Sequence, residues 1–384
     1  MITHFLYNVK NILIHIKFFF NIGIKHQSSS LSINNKSIIS NNIDIVNLEN
    51  IEDWELKEKK SLLISFTGDS NFNENNDYPA IESWLSINNK TLAPNNFHLF
   101  EQFKKIINNF KKLKIKKNKV KIFYINKINQ KKIQSVIKKS KCNKIFYLSG
   151  ITNVGYSFDH SYKTISYNIK YIFYILESCK NINQRVKIYN SLSSECFGNH
   201  NKLINEQSSF NPISPYGLSK SISYYLIKYY KQTHNIWISN GFVFNHESPL
   251  RTNKFVIKKI VNSVKLISLH KLDKISIGDL SIKRDWGWAP EFVKFIYKIS
   301  ELKKPADFII ATGKTTTLKN VLFYLFKILK IKPKNKVDIN KKLFRQFEIK
   351  KNNADISKLK KTFKDYPKIT IFKILEKMNS NIYY

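Results

Sequence analysis

The chain has 384 residues, with 65 Lys+Arg against 27 Asp+Glu and a formal net charge of +38. Hydrophobic residues at 42% and aromatics at 14% exclude a wholly disordered polyelectrolyte, and the length suits one large or two mid-sized domains with a real core. Such a charge normally points to nucleic acid or an anionic membrane. Here only Arg185, Arg251, Arg284 and Arg345 are arginines, which leaves 61 lysines.

Glycine is equally scarce, at 10 residues where an average chain of this length has roughly 27. Lys, Asn, Ile, Phe and Tyr stand in their place, and all five have A/T-rich codons. The excess lysine therefore reads as compositional drift and solvated surface, and the residues that kept G/C-rich codons are the informative ones. Cys142, Cys179 and Cys196 are widely spaced, with no CxxC or Cys/His zinc spacing, so neither a disulfide framework nor a metal site is expected.

Residues 1–43 read as a basic, apolar helix over about Asn8–Phe20, a short strand Asn21–Ile24 and a Ser/Asn-rich loop. The apolar run from Phe5 to Ile24 is broken by Lys10, His15 and Lys17, too often for a membrane span or a secretory signal. The cytoplasm is the expected compartment, with a transit role left open by the lack of acidic residues before Asp44. Residues 44–119 offer a strand at Ser61–Phe66, a polar loop and a lysine-heavy helix near Phe100–Lys112.

From Val120 the rhythm becomes regular. Strands at Val120–Ile125, Lys144–Leu148, Val186–Asn190 and Trp237–Phe244 alternate with helices at Gln130–Lys139, Thr164–Cys179 and Pro215–Gln232. Alternation of this kind predicts an α/β fold with a doubly wound parallel sheet. Helices near Lys254–Leu269, Pro290–Leu302 and Leu318–Leu329, with strands Lys274–Ile277 and Phe308–Ala311, form a smaller C-terminal lobe.

Six of the ten glycines fall between 198 and 313. The richest signal there is Ser193-Ser194-Glu195-Cys196-Phe197-Gly198 at a strand end, followed by Pro215-Tyr216-Gly217-Leu218-Ser219-Lys220 opening a helix. Tyr216 and Lys220 at i,i+4 share a helix face. A lysine cation beside a phenol favours the phenolate, which then accepts a hydroxyl proton while a nicotinamide takes hydride. Spacing alone does not carry this, since Tyr224 and Lys228 form the same pair.

The context does. The Ser-Ser-Glu strand end, the Ser-Pro-Tyr-x-x-Ser-Lys helix start and Asn245-His246-Glu247-Ser248-Pro249 resemble the GDP-mannose 4,6-dehydratases of the extended short-chain dehydrogenase/reductase superfamily. Gly278-Asp279-Leu280, Lys283-Arg284-Asp285-Trp286-Gly287, Pro305–Gly313, Phe344-Arg345 with Glu348, and Ala354–Lys358 are similar to further blocks of that family. The resemblance implies a Rossmann-like NAD(P)-binding domain over 1–245, with 44–119 as a divergent insertion. Residues 246–384 then form a nucleotide-sugar lobe interleaved with the sheet end. It implies NADP as cofactor, GDP-mannose as substrate and a homo-oligomer, dimer or tetramer, with no specific nucleic acid and no membrane.

By the same resemblance Tyr216, assisted by Lys220, takes the C4 hydroxyl proton, Ser193 stands where the family usually has Thr, and Glu195 removes the C5 proton as water leaves C6. Leu148, Ser149, Gly150, Ile151, Thr152, Lys220, His246 and Arg251 are assigned to the cofactor. Asn245, Lys258, Arg284, Arg345 and Glu348 are assigned to the nucleotide sugar. A guanidinium fork suits a diphosphate as lysine cannot, a physical reason for Arg284 and Arg345 to survive the drift.

The N-terminal part departs from the family. No Gly-rich phosphate turn exists, because only Gly23 and Gly68 precede residue 150. The preferred reading takes Asn21–Ile24 as the family's second strand, with Gln27 in place of an arginine and the first strand missing. The other takes Ser61–Phe66 as the first strand and Thr67–Asn71 as a degraded turn. Asn126, Lys163 and Tyr171-Ile172 are further departures on the cofactor side. A degenerate, catalytically weak paralogue acting as a nucleotide-sugar-binding or oligomer partner is the alternative to an active dehydratase, and polyanion binding is a third reading.

Overall fold

The computed structural model describes residues 13–18, 45–47, 61–66, 120–125, 129–140, 142–180, 182 and 186–380. In chain order its strands are β1 Leu13–Phe18, β2 Ile45–Asn47, β3 Ser61–Phe66, β4 Val120–Ile125, β5 Lys144–Tyr147, β6 Lys187–Ser193, β7 Ile238–Val243, β8 Asn245–Glu247, β9 Ile275–Ile277, β10 Lys283–Trp288, β11 Phe308–Ile310, β12 Thr315–Thr317 and β13 Val337–Ile339. Its helices are α1 Gln130–Ser140, α2 Val154–Asp159, α3 Ser161–Lys180, α4 Pro215–His234, α5 Val256–Ser268, α6 Ala289–Glu301, α7 Leu318–Ile328, α8 Ser357–Phe363 and α9 Ile371–Asn379.

Eight strands pair in the order β11-β7-β6-β5-β3-β1-β4-β2, every pair parallel. Parallel strands need crossovers, and helices on both faces bury them; β5 and β7 accordingly lack exposed positions. In a doubly wound sheet the first strand lies between the second and the fourth. That position is held by β3, flanked by β1 and β5.

The preferred expectation of a missing first strand is therefore corrected. Ser61–Phe66 fills the first place, as the other reading had it, and Leu13–Phe18 fills the second. The N-terminal helix expected over Asn8–Phe20 is also corrected, since β1 is its middle. Leu-Ile-His-Ile-Lys-Phe places polar residues two apart, a strand period, and pairing on both sides decides the outcome. The expected strand Asn21–Ile24, the helix at 100–112, the turn at 67–71, Gln27 and Asn126 lie outside the described residues.

From residue 129 onward the predicted elements appear within a few residues of their expected ends. The short strands β8, β10, β12 and β13 were not legible, because three to six residues give no period. They build two small sheets, β12-β10-β8 and β13-β9. Between them and α5, α7 and α9 lies a second core with Trp286, Trp288, Leu322 and Leu375. The strand β11, from the C-terminal part, closes the large sheet beside β7. No helix among the described residues is long and apolar enough to cross a membrane.

Candidate active site

The site begins where β6 ends. Ser193 has extended backbone, and its Oγ accepts a hydrogen bond from Glu195 N at 3.2 Å, capping the single 3-10 turn Ser194–Cys196. The next element to arrive is α4. Its N-cap Ser214 accepts from Gly217 N at 3.0 Å, and Pro215 pre-sets the first turn. A Cβ on Gly217 would stand 2.6 Å from the Glu195 carbonyl oxygen, so glycine is what lets the helix start abut the strand end. Tyr216 thereby reaches Ser193, and Lys220 reaches the Ser191 carbonyl on the same strand.

All four of these side chains are buried. Lys220 Nζ donates to Ser191 O at 2.9 Å, and burial draws its pKa down to about 8. Burial pushes Tyr216 up, against a hydrogen bond with Ser193 and the charge of Arg251. Lys220 is thus not among the influences that ease Tyr216 toward the phenolate: desolvation dominates, and the Lys220 ammonium is held on a carbonyl. Glu195 is also pushed up by burial, with Arg284 and Arg345 pulling it down and Glu348 raising it.

One cavity of about 480 Å³ joins these groups. Leu148 and Thr152 line it near Tyr216 and Lys220, and Asn245, His246 and Arg251 line it from the β8 side. Arg284, Arg345 and Glu348 form another wall. Glu348 Oε1 accepts from Arg284 Nη2 at 2.6 Å and from Arg345 Nη1 at 3.1 Å. Arg284 is 4% exposed and Arg345 is 36% exposed in the same pair of contacts, so one fork is fixed and the other faces solvent.

Four predicted residues do not line the cavity. Ser149, Gly150 and Ile151 sit behind it, where the Asn168 side chain accepts from Ile151 N at 2.8 Å and donates to Ser219 Oγ at 2.8 Å. Lys258 lies on α5 outside the lining, while Lys254 and Lys259 are in it. Lys259 Nζ donates to Ser276 O at 2.8 Å, which fixes it against β9.

Residues 95–378 match the family model described as GDP-mannose 4,6 dehydratase, most of the chain. The chain belongs to the GDP-mannose 4,6 dehydratase family. The GDP-mannose 4,6 dehydratase of Drosophila melanogaster is 29% identical over 286 residues, covering 68% of this chain and 72% of that one. GDP-mannose 4,6 dehydratase 1 of Arabidopsis thaliana is 29% identical over 242 residues, covering 62% and 67%. Among solved structures, RMD from Pseudomonas aeruginosa complexed with NADPH has a TM-score of 0.60 at 17% identity, covering 67% of this chain and 90% of that one. The dTDP-glucose 4,6-dehydratase of Bacillus anthracis in complex with NAD has a TM-score of 0.61 at 18% identity, covering 71% and 83%. At these identities the two structures bear on the fold alone.

Within this family member, sequence reasoning missed several cavity residues. Glu247 is 2% exposed, its Oε2 has no hydrogen-bond partner among the described residues, and Arg251 Nε stands 3.6 Å away. Burial lifts its pKa to about 7 against the pull of Arg251. It sits inside the Asn-His-Glu-Ser-Pro block, so the signal was present and unused. Lys254, Lys259 and Lys350 carried none, being three among 61 lysines.

Proposed function

We propose that the chain is a GDP-mannose 4,6-dehydratase, a hydro-lyase that converts GDP-mannose to GDP-4-dehydro-6-deoxymannose with NADP and no net redox change. The observation that carries the reading is the convergence of Ser193, Glu195, Tyr216 and Lys220 at one cavity that also holds Arg284 and Arg345. A base, an acid, a hydroxyl anchor and two anion forks are the groups this reaction needs.

The residues present fit the nicotinamide half of NADP. Lys220 spends one donor on Ser191 O and lines the cavity, so an ammonium with three donors retains capacity for a ribose hydroxyl. Leu148, Thr152, His246 and Arg251 complete that side, with Ser149, Gly150 and Ile151 acting from behind through Asn168. When bound, the cofactor supplies a hydride acceptor that returns the hydride later in the same turnover.

Ser193 and Tyr216 hold the C4 hydroxyl, and their shared hydrogen bond is the route by which its proton leaves. Tyr216 must be the phenolate to accept that proton, so the burial that favours its phenol is a cost the bound state has to offset. Glu195 removes the C5 proton once C4 is a ketone and donates it to the C6 hydroxyl as water departs. Its raised pKa suits this double role, since one carboxyl must be base and then acid. Arg284 and Arg345 grip the diphosphate, Glu348 sets their spacing, and Asn245 supports the nucleotide sugar from the lobe side, with Lys258 on α5 outside the cavity lining.

We assign residues 1–245 to the cofactor domain and 246–384 to the nucleotide-sugar lobe, with β11 returning to the sheet. The cytoplasm is the proposed compartment. A homo-oligomer is proposed as well, supported by Phe173 on α3 and Leu218, Tyr225 and Tyr229 on α4, all exposed; light scattering tests it. Purified protein given GDP-mannose and NADP yields a 4-keto sugar nucleotide. Folded protein that forms none overturns the function.

A further inference from the structure

Arg345 and Glu348 sit on a strap of chain whose ends are tied and whose middle is open. At its start Asn340 caps the 3-10 turn Lys341–Leu343 by accepting from Lys342 N at 2.9 Å. At its end Ile349 is buried, Lys350 O accepts from Lys283 N at 2.8 Å, and Asn199 Oδ1 accepts from Lys350 N at 2.8 Å. Residues 341–347 are exposed throughout. Phe347, 56% exposed, still has a neighbour: its ring stands 6.5 Å from that of Phe158, tilted by 35°, within the range of an aromatic pair. Phe158 belongs to α2, in the proposed cofactor domain.

The residue before Phe158 faces the reaction end. Ser157 is buried, and its Oγ donates to Val154 O at 2.7 Å and accepts from Tyr216 N at 3.3 Å. Tyr216 N lies in the first turn of α4, among the amides for which a helix supplies no acceptor of its own, and Ser157 supplies one. The helix α2 therefore touches the strap with one residue and the backbone of Tyr216 with the next. At six residues it is too short to hold its shape by its own hydrogen bonds, so what packs on it sets where it lies.

Resting on the proposed function, we propose that Phe347 and Phe158 are positioning residues that brace α2 between the arginine strap and Tyr216, so that a diphosphate gripped by Arg345 also fixes the phenol. Neither ring lines the cavity, so neither acts on the sugar directly. Binding energy from the nucleotide end is then used at the reacting end, where it raises kcat and not affinity alone.

Hydrogen exchange of the full chain with GDP alone, followed in peptides covering residues 154–160, tests the brace without turnover. GDP is expected to slow exchange there about three- to tenfold in wild type, the range of an aromatic pair, and less than about twofold in Phe347→Ala or Phe158→Ala. With GDP-mannose and NADP, Phe347→Ala is expected to lose kcat by about the same three- to tenfold, with an unchanged urea midpoint because the position is exposed. Phe347→Tyr, which keeps the ring, is expected to restore both readings, and the double alanine variant to lose no more than either single one. No slowing by GDP in wild type, or equal slowing in wild type and Phe347→Ala, overturns the brace. If wild type forms a keto sugar and Phe347→Ala keeps its full kcat, the brace is overturned and the function stands. If wild type binds GDP and forms no keto sugar, the function falls, and the exchange result decides the brace by itself.

Discussion

The two ends of the cavity reach their charge states by different balances of burial and pairing. At the strand-end cluster, desolvation moves Glu195 and Tyr216 up and Lys220 down, so each is biased toward its neutral form. At the arginine wall burial lowers Arg284 as well, but Glu195 and the Glu348 carboxylate shared by two guanidinium groups oppose it and keep charges in place by pairing. The reaction end has to move protons, and groups near neutrality do so at low cost. The anchoring end has to hold an anion, and fixed charges do that. Burial tunes chemistry here, and pairing tunes binding.

Breaking the reaction end is expected to give the largest effect. Glu195→Gln keeps the shape and removes the proton carrier, so kcat is expected to fall about 10³- to 10⁴-fold with KM for GDP-mannose little changed. Tyr216→Phe is expected to cost about 10²- to 10³-fold and to block the first hydride transfer, read as loss of tritium transfer from C4 to C6. Retention of kcat within tenfold in Glu195→Gln would remove Glu195 from the chemistry and with it the contrast drawn above.

Glu247 lies between the two regimes, buried yet facing a cation. Its pKa rises from an ordinary value near 4.5 to about 7, by burial first, with Arg251 opposing. The folded chain therefore keeps a proton that the unfolded chain has lost between pH 4.5 and 7. Stability contributed by this group falls as pH rises through that window, and the full penalty stands above pH 7. It amounts to roughly 3 kcal/mol at most. Glu247→Gln is expected to show less loss of stability between pH 5 and 8 than wild type, by about 2–3 kcal/mol in urea titrations. Parallel pH curves for the two proteins would show that Glu247 is charged throughout.

What the sequence revealed divides along the same line as the cavity. Tyr216, Glu195 and Arg284 stood out because their types are informative and their neighbours form blocks, and the geometry gathers them. Lys254, Lys259 and Lys350 were hidden by composition, since a lysine in a chain of 61 lysines carries no signal until packing shows where it points. Lys258 was assigned by resemblance alone, and it lies on α5 outside the cavity lining. The first strand was the harder case. Ser61–Phe66 reads as a strand anywhere, and only its pairing with Leu13–Phe18 and β5 gives it the central place. Pairing is a long-range property, which local pattern does not encode.

The smallest effect is expected where pairing is most exposed, and it sharpens the comparison within the arginine wall itself. Arg284 is 4% exposed and also donates from Nη1 to Lys283 O at 2.9 Å, so its fork is fixed before any ligand arrives. Arg345 is 36% exposed and holds only Glu348 among the contacts described. Lysine keeps the charge at either position and loses the bidentate geometry. Arg284→Lys is expected to weaken GDP about ten- to thirtyfold, on the scale of a charged hydrogen bond with an unsatisfied carboxylate left behind. Arg345→Lys is expected to cost only about two- to fivefold, within the range of an exposed pair. Raising salt from 0.05 to 0.5 M is expected to erase most of the Arg345 effect and little of the Arg284 effect, because the Debye length screens exposed charges and not buried ones. Equal losses with equal salt dependence would mean that solvent reaches both forks alike when ligand binds, and that the wall is tuned by geometry rather than by burial.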